Sequence, residues 1–367
     1  MKKLLVIPLI ILSANATFAG SSKNEITRIL KESGVKGGFV VHVGSDDGSV
    51  TAALQPNDSY QVHALVTDAS QLKDLRKEIR ESAGSYGTVA ADVLRGNHLP
   101  YIDNMVNLLL AEDGVTIDET EILRVLSPLG VAYILNNGKW KSLAKPWPEE
   151  IDDWTHYLHG ADGNAVAKDT RVGPPRRLQW VGSPRWSRHH DRMASMSALV
   201  SSRGRLFYVM DEGSRVSIQL PPQWKLIARD AFNGVVLWKR DIPKWHHHLW
   251  PLKSGPTQLA RRLVSVGNRV YFTLGITAAV SALDATSGKT LTDFKGSEGT
   301  EEILVANGSL IALVNKGVSE LKDYVPKHNV GDQARVRTEF VWNQKPRILM
   351  CYDSETGKKR WEYESPA

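Results

Sequence analysis

Apolar and polar positions keep two different rhythms along this chain. From residue 22 to about 145, short apolar runs alternate with stretches of helical spacing. The runs 38–43, 61–66, 87–91, 105–111 and 131–135 predict strands. The stretches 24–33, 70–81 and 118–126, with a shorter one ending at Leu54, predict helices. Alternating strands and helices predict a doubly wound parallel sheet, with ligands expected at the carboxyl ends of its strands. After about residue 196 the helical spacing disappears. Strand pairs within 198–210, 263–274 and 303–314 are each followed by two more apolar runs joined by a turn.

Those turns repeat a phrase. It reads Ala228-Arg-Asp-Ala-Phe-Asn-Gly-Val-Val-Leu-Trp238, then Ala282-Leu-Asp-Ala-Thr-Ser-Gly-Lys-Thr-Leu-Thr292, then Cys351-Tyr-Asp-Ser-Glu-Thr-Gly-Lys-Lys-Arg-Trp361. The Asp accepts hydrogen bonds from turn amides and the Gly supplies positive φ, so each copy predicts a β-hairpin. Four short strands per unit predict a propeller blade. The Asp positions 230, 284 and 353 are 54 and 69 residues apart, and the surplus includes an insert at about 316–347. Three blades leave open edges, so the propeller looks incomplete and the chain is read as a fragment.

The phrase resembles the repeat of the pyrroloquinoline-quinone (PQQ) or quinoprotein-type propellers. It does so over roughly residues 178–367. In that family the closing Trp packs between blades, which gives Trp238 and Trp361 a structural role. The resemblance implies PQQ with calcium as the cofactor of a complete propeller, although non-enzymatic relatives bind no quinone.

The first domain resembles class I S-adenosylmethionine (SAM)-dependent methyltransferases over about residues 35–136. Gly44-Ser-Asp-Asp-Gly48 matches the glycine-rich first loop, Asp92 the polar position after the third strand, and Leu126-Ser-Pro-Leu-Gly130 the turn before the fifth. The resemblance implies SAM contacts at Gly44, Asp46, Gly48, Asp68 and Asp92. The chain departs from that pattern where it matters. Asp46 stands where the family has a second glycine, and would face the cofactor's own carboxylate. Val66 ends the second strand where an acid usually holds the ribose, with Asp68 two residues on. These departures predict a degenerate domain.

Composition and targeting limit the partners. Lys and Arg number 46 against 40 Asp and Glu, a net charge of +6 that excludes a nucleic-acid signature. The basic Met1-Lys2-Lys3, the apolar run 4–12 and Thr17-Phe18-Ala19 predict a secretory signal cleaved after Ala19. The protein is therefore expected in a periplasm or secreted, with no transmembrane segment in the mature chain. SAM is not expected in that compartment. The single Cys351 excludes an intramolecular disulfide.

Between the two rhythms, residues 146–195 are dense in Trp, His and Arg. His156, His159, His189, His190, Asp191, His246 and His248 are candidates for metal binding or acid–base work. Arg185, Arg188 and Arg192 are candidates for recognising a carboxylate or phosphate. The structural alternative is that these side chains fill an interdomain seam. The domains expected are thus a signal at 1–19, a methyltransferase-like Rossmann domain at 22–145, a junction at 146–195 and propeller blades at 196–367. The leading functional expectation is ligand or protein binding at the propeller surface. A quinoprotein oxidoreductase and an active methyltransferase are the alternatives.

Overall fold

The computed structural model describes residues 21–84, 86–174, 178–184, 195–217, 220–246, 257–317 and 346–364. The signal segment and the candidates Arg185, Arg188, His189, His190, Asp191, Arg192 and His248 lie outside the described residues.

The N-terminal domain is one mixed sheet with helices on both faces. Its strands are β1 (Gly38–Val43), β2 (Tyr60–Val66), β3 (Val89–Val93), β4 (Val106–Ala111), β5 (Leu126–Asn136) and β6 (Lys139–Ala144), in the order β3-β2-β1-β4-β5-β6. The first five pair in parallel, and β6 returns antiparallel to β5. Every residue of the central β1 is buried, as expected of a parallel strand covered on both faces. Helices α1 (Lys23–Glu32), α2 (Gly48–Ala53) and α3 (Leu72–Ala83) pack on one face around Ile26, Ile29, Val50, Leu75 and Ile79. Helix α4 (Glu119–Val125) covers the other through Ile122 and Val125. The strand order reverses between β1 and β4, the switch point where such sheets open a crevice at their carboxyl ends.

The C-terminal region is three antiparallel four-stranded sheets. The first holds β7 (Met196–Ser202), β8 (Arg205–Asp211), β9 (Trp224–Asp230) and β10 (Val236–Asp241). The second holds β11 (Leu263–Val266), β12 (Arg269–Thr273), β13 (Val280–Asp284) and β14 (Thr290–Phe294). The third holds β15 (Thr300–Ala306), β16 (Ser309–Asn315), β17 (Arg347–Asp353) and β18 (Lys359–Glu364). One apolar core lies between the first and second blades and another between the second and third. The fold is therefore a methyltransferase-type Rossmann-like domain followed by propeller blades.

The repeated phrase builds the same turn three times. Asp230, Asp284 and Asp353 each accept two amide N–H groups of their own turn through Oδ1, at 2.8–3.2 Å. Gly234, Gly288 and Gly357 follow at φ of +77°, +68° and +73°. Each glycine also makes room for a side chain from the preceding unit. A Cβ on Gly234 would lie 2.5 Å from the Trp180 ring, and one on Gly288 2.6 Å from the Trp238 ring. The indoles bond the same turns, Trp180 Nε1 to Ala231 O at 2.9 Å and Trp238 Nε1 to Ala285 O at 3.0 Å. In the third blade Thr292 takes that place, packing on Gly357 and donating its hydroxyl to Glu355 O at 3.3 Å. Trp180 thus serves the first blade, although six residues instead of three separate it from the Asp169-Thr-Arg-Val-Gly173 turn that precedes it. Trp361, at the last described blade, is 47% exposed.

The two domains dock through the amino ends of the Rossmann strands. Asn107, near the start of β4, donates Nδ2 to Asp230 Oδ2 at 2.8 Å and accepts Asn233 Nδ2 at 2.6 Å and the Phe39 N–H at 2.7 Å. Ser59 donates its hydroxyl to Leu237 O at 2.5 Å. Gly38 (φ +105°) is required here, since a Cβ would overlap Asn107 Oδ1. The carboxyl ends of the same strands therefore face away from the propeller.

Candidate functional site

At the carboxyl edge, Gly44, Asp46 and Gly48 lie in the first loop, Asp68 follows β2 and Asp92 lies near the end of β3, and apart from Asp46 their polar groups have partners within the fold. Gly44 (φ +77°) follows β1, and a Cβ there would overlap Val115 and come within 3.3 Å of Glu112 Cβ. Gly48 opens α2 against α3, where a Cβ would lie 2.5 Å from Glu78 Cβ and 2.7 Å from the Ile79 nitrogen. Its N–H is donated to Glu78 Oε2 at 2.9 Å. Asp47 caps α2 by accepting the N–H groups of Ser49 and Val50. Asp46, Asp47, Glu78 and Glu81 line one open cleft beside Ser21, so the surface above the loop carries four carboxylates. Asp68 is spent on the Ser70 N–H at the end of β2, and Asp92 accepts the Val93 N–H at the end of β3.

Under that loop lies a buried polar chain for which sequence reading gave no signal beyond Glu112 ending a strand. Glu112 Oε1 meets His42 Nε2 at 2.8 Å and accepts the Ser21 hydroxyl at 2.5 Å. His42 Nδ1 meets Thr51 Oγ1 at 3.0 Å, and Thr51 Oγ1 meets Ser45 Oγ at 2.6 Å. Burial pushes the Glu112 carboxyl up, but the His42 and Ser21 hydrogen bonds outweigh it and hold the group below its ordinary range. His42, Ser45, Thr51 and Glu112 are all buried, so this chain braces the loop from inside.

The junction has a different task. Three consecutive residues bond the first strands, each at a sheet edge, of three consecutive blades. Trp154 O accepts the Ser201 N–H at 2.7 Å, Thr155 O accepts the Ser265 N–H at 2.9 Å, and His156 Nε2 accepts the Val305 N–H at 3.1 Å. Ser201, Ser265 and Val305 each lie four residues before the next strand begins, at Arg205, Arg269 and Ser309. The segment therefore satisfies equivalent N–H groups on the edge strands β7, β11 and β15. Because His156 Nε2 accepts, its proton sits on Nδ1, which donates to Thr155 Oγ1 at 2.7 Å. Burial holds its pKa down to about 4. His159 (φ +68°) pairs through Nε2 with Asp152 Oδ2 at 2.7 Å. Burial raises the Asp152 pKa, but the Lys168 N–H and His159 bonds outweigh it and leave it lowered. His246 is buried against Trp224, ring centroids 4.4 Å apart. Among the described residues no group of three His, Cys, Asp or Glu is placed to hold a metal.

A second open space lies at the domain seam. A cavity of about 680 Å³ opens between the amino edge of the Rossmann sheet and the turns of the first two blades. Val35, Leu129, Phe232 and Leu237 supply apolar wall, and Lys36, Arg203 and Arg205 supply cations. Leu129 and Arg203 are held at φ of +66° and +50°, a conformation non-glycine residues rarely take and one that gathers at binding sites. Leu129 is also where the methyltransferase turn pattern has glycine. Asp230 forms part of the wall; burial pushes its carboxyl up against the pull of Asn107 and the turn amides.

No protein-family model and no curated protein matches this chain. Solved structures resemble its parts. A protein described as an S-adenosyl-L-methionine-dependent methyltransferase from Methanococcus maripaludis is 20% identical, over 32% of this chain and 56% of its own, with a TM-score of 0.28. A europium-containing methanol dehydrogenase is 14% identical, over 60% of this chain and 33% of its own, at a TM-score of 0.37. A SAM-dependent methyltransferase from Aquifex aeolicus is 20% identical, over 30% of this chain and 63% of its own, at a TM-score of 0.24. This chain thus spans less than two thirds of each, and likenesses of this size carry neither activity nor ligand to it.

Proposed function

We propose that this protein binds a small ligand in the seam cavity, and that its methyltransferase-like domain acts as a scaffold for that site. One observation carries the reading: a cavity of about 680 Å³ lies between the two domains, in the size range and the place where ligand sites are usually built. The carboxyl edge supports it by contrast. There Gly48 N–H, Asp47 and Asp68 already have partners within the fold, and four carboxylates face the space where the SAM carboxylate would come. The basic and apolar N-terminal segment supports export to a periplasm or the exterior, where SAM is not expected.

The test is a thermal-shift screen of a fragment library on the purified protein and on Asn268→Trp. Asn268 is an exposed residue of the cavity lining, so the variant fills the cavity without disturbing a core. Fragments that stabilise the wild type and are lost in Asn268→Trp support the reading. Fragments retained in that variant but lost in Asp46→Ala would move the site to the carboxyl edge. Amino-terminal sequencing of protein recovered from cell fractions tests export, with Gly20 as the expected first residue.

A further inference from the structure

We propose that the seam cavity is selective for a small anion, an apolar molecule bearing one carboxylate or phosphate, with Arg205 and Arg203 gripping the oxyanion and Lys36 at the rim. This deepens the proposed function and rests on it. The cavity has three cationic side chains, and among the described residues none of them is paired with a carboxylate. Arg205 is the telling one. It is half-buried, its Nε has no hydrogen-bond partner, and its one protein bond runs from Nη2 to Gly267 O at 3.3 Å. A buried guanidinium nitrogen without a partner asks for one, and a guanidinium fork matches carboxylate or phosphate in two parallel bonds. Arg203 contributes its backbone N–H to Asp153 Oδ1 at 2.9 Å, which fixes the turn and leaves its guanidinium at the cavity.

The carboxylates of the lining do not fill this role. Asp230 gives Oδ2 to Asn107 and Oδ1 to the N–H groups of Phe232 and Asn233. Asp284 Oδ1 takes four donors from Thr286 and Ser287. Asp284, Asp153 and Asp230 all lie near enough to pull on Arg205, yet among the described residues its side chain donates only to Gly267 O, and Asp153 accepts the Arg203 N–H. In the same lining, Val35, Leu129, Phe232 and Leu237 would take an apolar body.

The experiment titrates the purified full chain with benzoate, phenyl phosphate and benzamide, followed by calorimetry at two salt concentrations. The expected result is saturable binding of benzoate, phenyl phosphate or both, weakened by salt, with benzamide bound at least tenfold more weakly. Arg205→Gln and Arg203→Gln are each expected to weaken the anion tenfold or more. Arg203 is exposed, so its variant keeps the test valid even if Arg205→Gln fails to fold. Preference between the two anions tells a carboxylate ligand from a phosphate one. If benzamide binds as well as the anions, the cavity is a ligand site but the anion inference falls. If no probe binds at ten millimolar to folded protein, the anion inference falls, and an empty fragment screen beside it takes the proposed function down as well.

Discussion

The two edges of one sheet have been put to opposite uses. At the carboxyl edge, where the strand order leaves a crevice, the first loop is packed from below by Glu112 and His42 and from the side by Val115 and Glu78. At the amino edge, where such sheets seldom hold ligands, the propeller turns stand off far enough to leave the seam cavity. The chemistry differs in balance: carboxylates alone, Asp46, Asp47, Glu78 and Glu81, above the loop, but cations Lys36, Arg203 and Arg205 beside the hydrogen-bonded Asp230 and Asp284 at the seam. The lesson is that strand order marks where a crevice can form, while the individual side chains that line it decide what it can take.

The comparison can be broken most severely at Gly38. Gly38→Ala places a Cβ onto Asn107 at a φ of +105°, and is expected to cost about 4 kcal/mol and to separate the domains. Chemical denaturation with probes on each domain would register it, as one transition becoming two. At the other edge, Gly48→Ala drives a Cβ into α3 and should cost about 2 kcal/mol without uncoupling the domains.

Acid should act through the junction. His156 is neutral in the fold with its pKa held at about 4, against about 6.5 in an unfolded chain. The unfolded chain therefore binds the extra proton first. Stability is complete above about pH 6.5 and falls by up to about 3 kcal/mol as the pH drops toward 4. Urea midpoints across that range should decline in the wild type. In His156→Gln the decline should flatten, while stability at pH 7 drops by about 2 kcal/mol because the Val305 N–H loses its partner.

Smaller effects sharpen the contrast. Asn107→Ala strips Asp230 and Asn233 of a seam partner and should cost about 2 kcal/mol. The loss should grow with pH, as the deserted carboxyl becomes harder to keep charged. Glu112→Gln should cost about 1 kcal/mol at pH 7. Its carboxyl is held below its ordinary range, so the contribution present above about pH 4.5 disappears as the pH falls through the depressed value. The loss in the variant should therefore vanish in acid, as denaturation at pH 7 and pH 3 would show. Asp46→Asn changes an exposed group and should move stability by less than about 0.5 kcal/mol.

Much of this fold was legible in the sequence. The first four strands of the Rossmann sheet fall within two residues of the apolar runs, because a buried parallel strand cannot hide its composition, while β5 begins at Leu126, five residues earlier, in the segment read as a turn. The blade turns were legible because Asp and Gly have separate physical tasks in them. What escaped had a physical reason. β6 carries no buried run, although Asn137-Gly138 marks its hairpin. Trp180 was missed as a blade residue because six residues, not three, separate it from Gly173 of the preceding turn. The blade-to-blade clasp escaped because Trp154 and Thr155 act through backbone carbonyls, which leave no trace in side-chain identity. The density of Trp and His in the junction was visible, yet the part of it described here binds blades together. Arg203 and Arg205 sit in an ordinary hairpin turn, and only the docking of the two domains gives them a cavity to face.

The measurement that bears most directly on this account is a calorimetric titration of the purified protein with SAM. A carboxyl edge lined by carboxylates, with its loop amides already bonded, predicts no saturable heat at millimolar SAM, in wild type and Asp46→Asn alike. Saturable binding that is lost on changing Gly44 would mean that the first loop still takes its cofactor, and would contradict the central claim.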